Sequence, residues 1–173
     1  TGTDPESAEL VKSNLKPGTN VSGTSDLTPC AAQIDLLKKI LPDAEIVGML
    51  YCSSEQNSQF QIALAKTECD KLGLRSIDSS VSNANEILPV TQSLVGKVDA
   101  IYVPTDNMIA VGMSLVAQIA NKNKIPVIVG GDGMVKSGGL ATYGINYYKL
   151  GKQTAVMAVD ILKNGKNPAD MPI

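Results

Sequence analysis

The sequence predicts an α/β fold of three layers, in which helices cover both faces of a doubly wound parallel β-sheet. Short apolar runs alternate along the chain with segments of helical periodicity, as they do in βαβ units. Each run is a continuous stretch of mostly apolar residues rather than an alternation of apolar and polar ones, which is typical of strands buried on both faces. The chain has 173 residues and is 43% hydrophobic, so it is long enough to bury a sizeable core.

Five apolar runs are predicted to be strands. Three of them are compact and end at polar residues, proline or glycine, whereas two are weaker. The strong candidates are residues 46–51, 98–103 and 125–129. The weaker candidates are residues 74–79 and 140–145.

Five segments carry apolar side chains at the spacing of a helix that buries one face. They are residues 29–41, 57–72, 84–95, 107–121 and 147–163. The interval between the last two strands is too short for a full crossover helix, so only a turn of helix is predicted there, around residues 134–136. The N-terminal segment lies outside this repeat, and residues 5–13 are predicted to form a helix with Asp4 as its N-cap.

Composition excludes several classes of function. The chain contains no histidine, which removes His-based triads and His-ligated metals. Its three cysteines, Cys30, Cys52 and Cys69, lack metal-ligand spacing and are expected to be small buried hydrophobes. No phosphate loop or dinucleotide fingerprint is present, so no cofactor is expected. Without histidine or suitably spaced cysteines, no metal site is expected either. The net charge of -2 supplies no basic surface for nucleic acid.

Polar clusters follow the predicted strands and mark the candidate site. The carboxyl ends of parallel strands share one edge, where open α/β sheets bind their ligands. A purely structural interpretation remains open for most of these residues. N-capping explains Asn57, Ser58, Asp106 and Asn107, exposure to solvent explains Glu55, and a turn explains Asp132. The residues are Glu55, Asn57, Ser58, Thr105, Asp106, Asn107 and Asp132.

Several motifs in matching order resemble a known family. They are Gly23–Leu27, Asn57-Ser58, Tyr102–Asn107, and Tyr143–Tyr148 followed by Leu150-Gly151. The chain resembles the extracytoplasmic solute-binding proteins of ABC importers, which have the type I periplasmic-binding-protein fold. The most similar subfamily includes tryptophan- and tyrosine-binding lipoproteins.

The resemblance implies a two-lobed protein that closes on its ligand, of which this chain is a fragment. Residues 1–23 would be the tail of a first lobe that is otherwise missing. Residues 24–28 would be a crossover between lobes, and residues 29–173 would form the second lobe.

The resemblance also implies roles for particular residues. The seven polar residues above would line one side of the cleft, and Thr3, Asp4, Ser25 and Asp26 would face them. Asp106 or Asp132 would pair with the ammonium of an amino acid. The carboxylate of that amino acid would bind Asn57, Ser58, Thr105 and helix N–H groups. Family members commonly have Glu where Asp132 stands, and the apolar slot for an aromatic ligand would come from Tyr51 or the first lobe.

The function expected from the resemblance is that of a solute-binding component of an ABC importer. It would bind an amino acid-like ligand, aromatic ligands included, outside the cytoplasm. Its partner would be the membrane permease, and it would catalyse no reaction. The alternative is the effector domain of a transcription regulator, which has the same fold. A small α/β enzyme is the least favoured interpretation, since no acid, base and electrophile are assembled in the sequence.

Overall fold

The computed structural model describes residues 2–173 and contains one four-stranded parallel sheet. Its strands are β1 (Ile46–Cys52), β2 (Arg75–Val81), β3 (Ala100–Val103) and β4 (Val127–Val129). They lie in the order β2-β1-β3-β4, so the direction of winding reverses between β1 and β3. That reversal is the topological switch point at which open α/β sheets bind ligands.

Within residues 2–173, six α-helices accompany the strands. They are α1 (Cys30–Ile40), α2 (Gln56–Lys71), α3 (Ile87–Ser93), α4 (Asn107–Lys122), α5 (Asp132–Lys136) and α6 (Tyr147–Asn164). Single 3₁₀ turns occur at Ala84–Glu86 and Pro168–Asp170. Over residues 2–173, no helix has both the length and the apolar character needed to cross a bilayer.

Helices cover both faces of the sheet. On one face, Leu50 and Ile101 pack with Ile109 and Met113 of α4 in a fully buried cluster. Successive strand side chains point to opposite faces, and the hydroxyl of Tyr102 accordingly donates to the Gln33 side chain of α1 at 2.7 Å. The arrangement is therefore α1 and α2, the sheet, then α3 and α4, which confirms the predicted three-layer doubly wound fold.

The chain divides into two compact units. One is Thr28–Gly144, which holds the whole sheet and α1 to α5. The other combines the residues up to Leu27 with Ile145–Ile173. This division differs at its C-terminal end from the predicted one, in which residues 29–173 formed a single lobe. Residue 1 of the predicted 1–23 segment lies outside the described residues.

Hydrogen bonds explain why α6 groups with the N-terminal segment. The hydroxyl of Thr24 lies 2.7 Å from that of Thr154 in α6. The Ser22 hydroxyl donates to the carbonyl of Met171 at 2.8 Å. α6 forms where the apolar periodicity predicts a helix, but periodicity does not say which part of the chain a helix packs against.

The predicted strand at residues 140–145 is wrong. Only Ala141 pairs with β4, through an isolated bridge to Ile128. β4 itself has only three residues, so a neighbouring strand could form few hydrogen bonds with it. The carbonyl of Tyr143 accepts a hydrogen bond from the Gln33 side chain at 2.8 Å instead of joining a ladder.

The predicted helix at residues 5–13 is also wrong, because the segment makes a single turn. Glu9 has a φ of 58°, which a helix interior does not allow. Its N–H bonds to Glu6 O, and that of Leu10 bonds to Pro5 O. These two hydrogen bonds are the pattern with which helices commonly end at a residue in the left-handed region. The predicted cap at Asp4 nevertheless exists, since its carboxylate accepts from the N–H of Ser7 at 3.2 Å.

Candidate functional site

The candidate site lies at the switch point, where the chain leaves β1 and β3. After β1 the chain runs through Glu55 into α2, and after β3 it runs through Thr105 and Asp106 into α4. The polar clusters that the sequence identified after these two strands are therefore brought together at one edge. Their hydrogen bonds show which side chains stabilise the fold and which remain available to contact a ligand.

Asp106 has a structural role, because both of its carboxylate oxygens accept hydrogen bonds from the backbone. It is only 2% exposed. One carboxylate oxygen accepts from the N–H of Ile109 at 2.8 Å, and the other accepts from the N–H of Cys52 at 2.6 Å. The side chain thus caps α4 and ties it to the end of β1. This is the capping role that the sequence analysis left open beside a contact with the ligand.

Glu55 also binds the N-terminus of α4. Its carboxylate accepts from the N–H of Asn107 at 3.0 Å, from the Asn107 side chain at 2.9 Å and from the N–H of Met108 at 2.9 Å. Burial acts to raise the pKa of Glu55, but these hydrogen bonds outweigh it, so the pKa lies below its usual value. Helix N–H groups were expected to bind a ligand carboxylate, but those at the start of α4 are bound to protein carboxylates in this structure.

Thr105 is held by amide side chains from α2. Its carbonyl accepts from the Asn57 side chain at 2.9 Å. Its N–H donates to the Gln61 side-chain oxygen at 3.2 Å, while the Gln61 amide donates to its hydroxyl oxygen. Since that hydroxyl accepts from Gln61, its own proton is free to be donated elsewhere. Ser58 is fully buried beside Asn57, and its N–H bonds to the carbonyl of Glu55 at 3.1 Å.

Sequence reasoning missed two buried glutamines at this edge, Gln33 and Gln61. Both are completely inaccessible to solvent. The signal was available in the sequence, because each lies in the apolar stripe of a predicted helix, next to Ile34 and Ile62 respectively. A polar side chain on a buried face needs a partner, and in both cases the partner is a loop or strand residue of the edge.

Asp132 stands apart from this network. It is the exposed first residue of α5. Within the described part of the chain, its carboxylate has no hydrogen-bond or ion-pair partner. The backbone of Gly144 packs closely on it, since a Cβ there would lie 2.3 Å from the Asp132 carboxylate oxygen. The structure thus leaves this carboxylate able to accept from a cationic group.

Three of the four candidate residues near the N-terminus form a second cluster, within the other compact unit. The hydroxyl of Thr3 donates to Asp26 at 3.1 Å, and that of Ser25 donates to the carbonyl of Thr3 at 2.6 Å. Asp26 also accepts from the hydroxyl of Tyr147 at 3.3 Å, a contact that the sequence did not predict. Burial, together with the Asp26 charge, raises the pKa of Tyr147.

Asp4 does not belong to that cluster. Its carboxylate accepts from the Asn14 side chain at 2.5 Å as well as from Ser7. Burial acts to raise the pKa of Asp4, but its hydrogen bonds with Asn14 and Ser7 bring it below the usual value. Asp4 therefore stabilises the local turn.

Tyr51, the residue considered for an aromatic slot, lines a shallow surface groove beside α2. Ile62, Lys66 and Asp78 line the same groove, and Lys66 pairs with Asp78 at 2.7 Å. Over residues 2–173, no group of three or more carboxylate or thiol side chains is arranged to hold a metal ion.

Comparison with known proteins finds relatives along the whole chain. Residues 1–173 match the family described as ABC transporter substrate binding protein. The chain is 42% identical over 171 residues to a tyrosine-binding protein of Clostridioides difficile (strain R20291), covering 99% of this chain and 49% of that protein. The chain spans about half the length of the curated relatives it matches.

Two solved structures extend this likeness to three dimensions. One, from Streptococcus pneumoniae, is described as an ABC domain in complex with L-Trp. It matches with a TM-score of 0.92 at 41% identity, over 99% of this chain and 59% of that one. The other is the ligand-free, open structure of a substrate binding protein with adhesive properties from Clostridium difficile. It matches with a TM-score of 0.78 at 47% identity, over 99% of this chain and 58% of that one.

Proposed function

Because this chain belongs to the family of ABC transporter substrate binding proteins, we propose that it is part of the solute-binding component of an ABC importer. The ligand proposed is an aromatic amino acid, with L-tyrosine and L-tryptophan as the first candidates. The observation that carries the proposal is the likeness, along nearly the whole chain, to a protein crystallised with L-Trp. The similarity to a tyrosine-binding protein supports the same class of ligand.

The chemistry of the sheet edge supports a zwitterionic ligand. The exposed carboxylate of Asp132 is proposed to accept from the ligand's ammonium, because Asp106 is buried with both oxygens engaged. The hydroxyl proton of Thr105 is proposed to be donated to the ligand's carboxylate. A charge-assisted hydrogen bond to each end of the ligand would fix its orientation and leave selectivity to the contacts of its side chain.

The finer parts of the sequence expectation are carried into this proposal. The complete protein is proposed to act outside the cytoplasm, to enclose its ligand between two lobes, to deliver it to a membrane permease and to catalyse no reaction. The family to which the chain belongs supports each of these. No observation on residues 2–173 favours the regulator alternative over the transporter.

Calorimetry on the complete protein tests the proposal. The protein is unfolded, dialysed and refolded to remove any bound solute, and then titrated with each of the common amino acids. We expect one site that binds L-tyrosine or L-tryptophan at least about a hundredfold more tightly than L-leucine or L-lysine, which lack the aromatic ring. Refolded protein that binds none of the amino acids would overturn the proposal.

A further inference from the structure

One buried carboxamide joins two functionally distinct places in the Thr28–Gly144 unit. The side-chain oxygen of Gln61 accepts from the N–H of Thr105 at 3.2 Å and from the hydroxyl of Thr28 at 3.2 Å. Its amide nitrogen donates to the Thr105 hydroxyl and to the carbonyl of Asn57. Gln61 is inaccessible to solvent and Thr28 is 2% exposed, so water cannot replace these bonds.

The contact between Gln61 and Thr28 involves the residue at which the chain enters the Thr28–Gly144 unit. Thr28 is the first residue of the compact unit, at the point where the chain arrives from Leu27. Thr105, at the other end of the contact, lies in the loop proposed to bind the ligand. A single side chain therefore holds the residue at which the chain enters the unit and the loop that would touch the ligand.

The point at which the chain leaves the unit is held in the same way. Gln33, the second buried glutamine, donates to the carbonyl of Tyr143 at 2.8 Å, and its oxygen accepts from the hydroxyl of Tyr102 at 2.7 Å. Tyr143 directly precedes Gly144, the last residue of the unit. Two independent glutamines thus anchor the two points at which the chain enters and leaves.

We infer that Gln61 is a positioning residue, which couples the Thr105 loop to the segment that enters the unit at Thr28. This inference rests on the proposed function, since it takes Thr105 as a ligand contact. If the loop shifts, the buried carboxamide must follow or leave a polar group without a partner, which is costly in a dry interior. Ligand binding at Thr105 and the conformation of residues 24–28 are therefore interdependent, and such coupling is reciprocal.

The test uses variants of the complete protein that alter one end of the contact. Thr28→Val removes the hydroxyl at constant shape, while the Gln61 oxygen keeps its bond to Thr105. Thr28→Ser retains the hydroxyl and serves as the rescue variant. Gln61→Met breaks both connections, and Gln118→Met, on the exposed face of α4, is its matched control.

We expect Thr28→Val to weaken binding of L-tyrosine or L-tryptophan by at least about fivefold, the lower end of usual coupling. Faster dissociation should account for most of the loss. Thr28→Ser and Gln118→Met should bind within about twofold of the wild-type protein. Hydrogen exchange should show ligand-dependent protection of the amides at residues 24–28 in the wild-type protein and its loss in Thr28→Val.

The possible outcomes separate the inference from the proposed function. If the wild-type protein binds no amino acid, the proposed function fails, and the inference fails with it. If the wild-type protein binds and Thr28→Val binds equally well, with protection of residues 24–28 unchanged, the inference alone is overturned. A lower melting temperature for Thr28→Val with unchanged affinity would show a purely structural contact and would also overturn it. Should Gln61→Met fail to fold, the two Thr28 variants still decide the question.

Discussion

The Asp106 carboxylate lies 2.6 Å from the backbone nitrogen of Cys52 and accepts its hydrogen bond. Its other oxygen caps the N-terminus of α4 through Ile109. One buried side chain therefore fixes the end of β1 relative to the start of α4, on the two sides of the switch point. The loops of the candidate site are built on this connection, which makes Asp106 a structural residue.

Asp106→Asn is expected to destabilise the fold while removing little volume. An amide offers one acceptor oxygen in place of two, so its NH₂ group would face a backbone N–H and leave a buried donor unpaired. The cost should be about 1–3 kcal/mol in the free energy of unfolding, measured by urea denaturation. Asp43→Asn, at an exposed position, is the matched control and should change stability by less than about 0.5 kcal/mol. Equal stability of the two variants would show that the two hydrogen bonds contribute nothing.

Glu55 is expected to stabilise α4 in a pH-dependent manner. Its pKa is lowered in the folded protein, so its contribution is present above the ordinary carboxyl value of about 4.3 and is lost as the pH falls through the lower folded value. Glu55→Gln should cost about 1 kcal/mol in the free energy of unfolding at neutral pH. The difference from the wild-type protein should disappear in acid.

Urea denaturation across the acid range measures this dependence. Glu45→Gln, which alters an exposed carboxylate, serves as the control for the change of charge alone and should lie within about 0.5 kcal/mol of the wild-type protein at neutral pH. A difference between wild type and Glu55→Gln that stays constant from neutral pH into acid would contradict the prediction, because it would mean that the ionised form is not the stabilising one.

The sequence predicted the framework of this site well, because periodicity and strand order determine it. The apolar runs at residues 46–51 and 98–103 became β1 and β3, and the polar residues after them converge as expected. Glu55, Asn57, Thr105 and Asn107 form one hydrogen-bonded network, in which the Asn57 amide donates both to Thr105 and to Glu55. What the sequence could not decide is whether each polar group caps a helix or contacts a ligand, since the same residue types serve both purposes.

The wrong strand and the grouping of α6 both depend on contacts distant along the chain. Residues 140–145 are apolar enough for a strand, but a buried glutamine takes the carbonyl of Tyr143. α6 has the expected bounds within one residue, yet it groups with the N-terminal segment through Thr24 and Thr154. Local patterns specify the element and its apolar face, whereas the choice of partner depends on packing that no single window contains.

The three cysteines are buried, as the sequence predicted, and are expected to be unreactive in the native protein. Burial, helped by the charges of Asp70 and Glu68, raises the pKa of Cys69 to about 12, and burial also raises that of Cys30. Since the thiolate is the reactive form and all three cysteines are buried, a maleimide at neutral pH should label none of the three thiols promptly. All three should react in urea. Prompt labelling of one thiol in the native protein would contradict the prediction.

Gly130 is expected to be essential for joining the loops after β3 and β4, whereas its neighbour Gly131 is not. A Cβ on Gly130 would lie 2.3 Å from the backbone nitrogen of Thr105, and nothing lies within 4 Å of one on Gly131. Gly130→Ala should therefore force the backbones apart and cost about 1–3 kcal/mol in the free energy of unfolding. Gly131→Ala, the matched control, should be within about 0.5 kcal/mol of the wild-type protein. Similar thermal unfolding of the two variants would show that the loops can separate freely.

Asp132→Asn tests the proposed ammonium contact, and Gly144→Ala tests it without altering the carboxylate. Asp132→Asn should weaken binding of L-tyrosine or L-tryptophan to the complete protein by about ten- to a hundredfold, as expected for a hydrogen bond between charged groups. Gly144→Ala places a methyl group against the Asp132 carboxylate, which must move away. It should therefore weaken binding in the same direction but by less.

Because Asp132 is exposed and has no partner among the described residues, neither variant should lower the melting temperature by more than about 2 °C. A loss of affinity without a loss of stability is the signature of a ligand contact. Asp170→Asn, on the 3₁₀ turn at the C-terminus, is the control for the change of charge alone. If Asp132→Asn and Asp170→Asn bind the ligand equally well, the ammonium is held by another group, and Asp132 is a solvated turn residue.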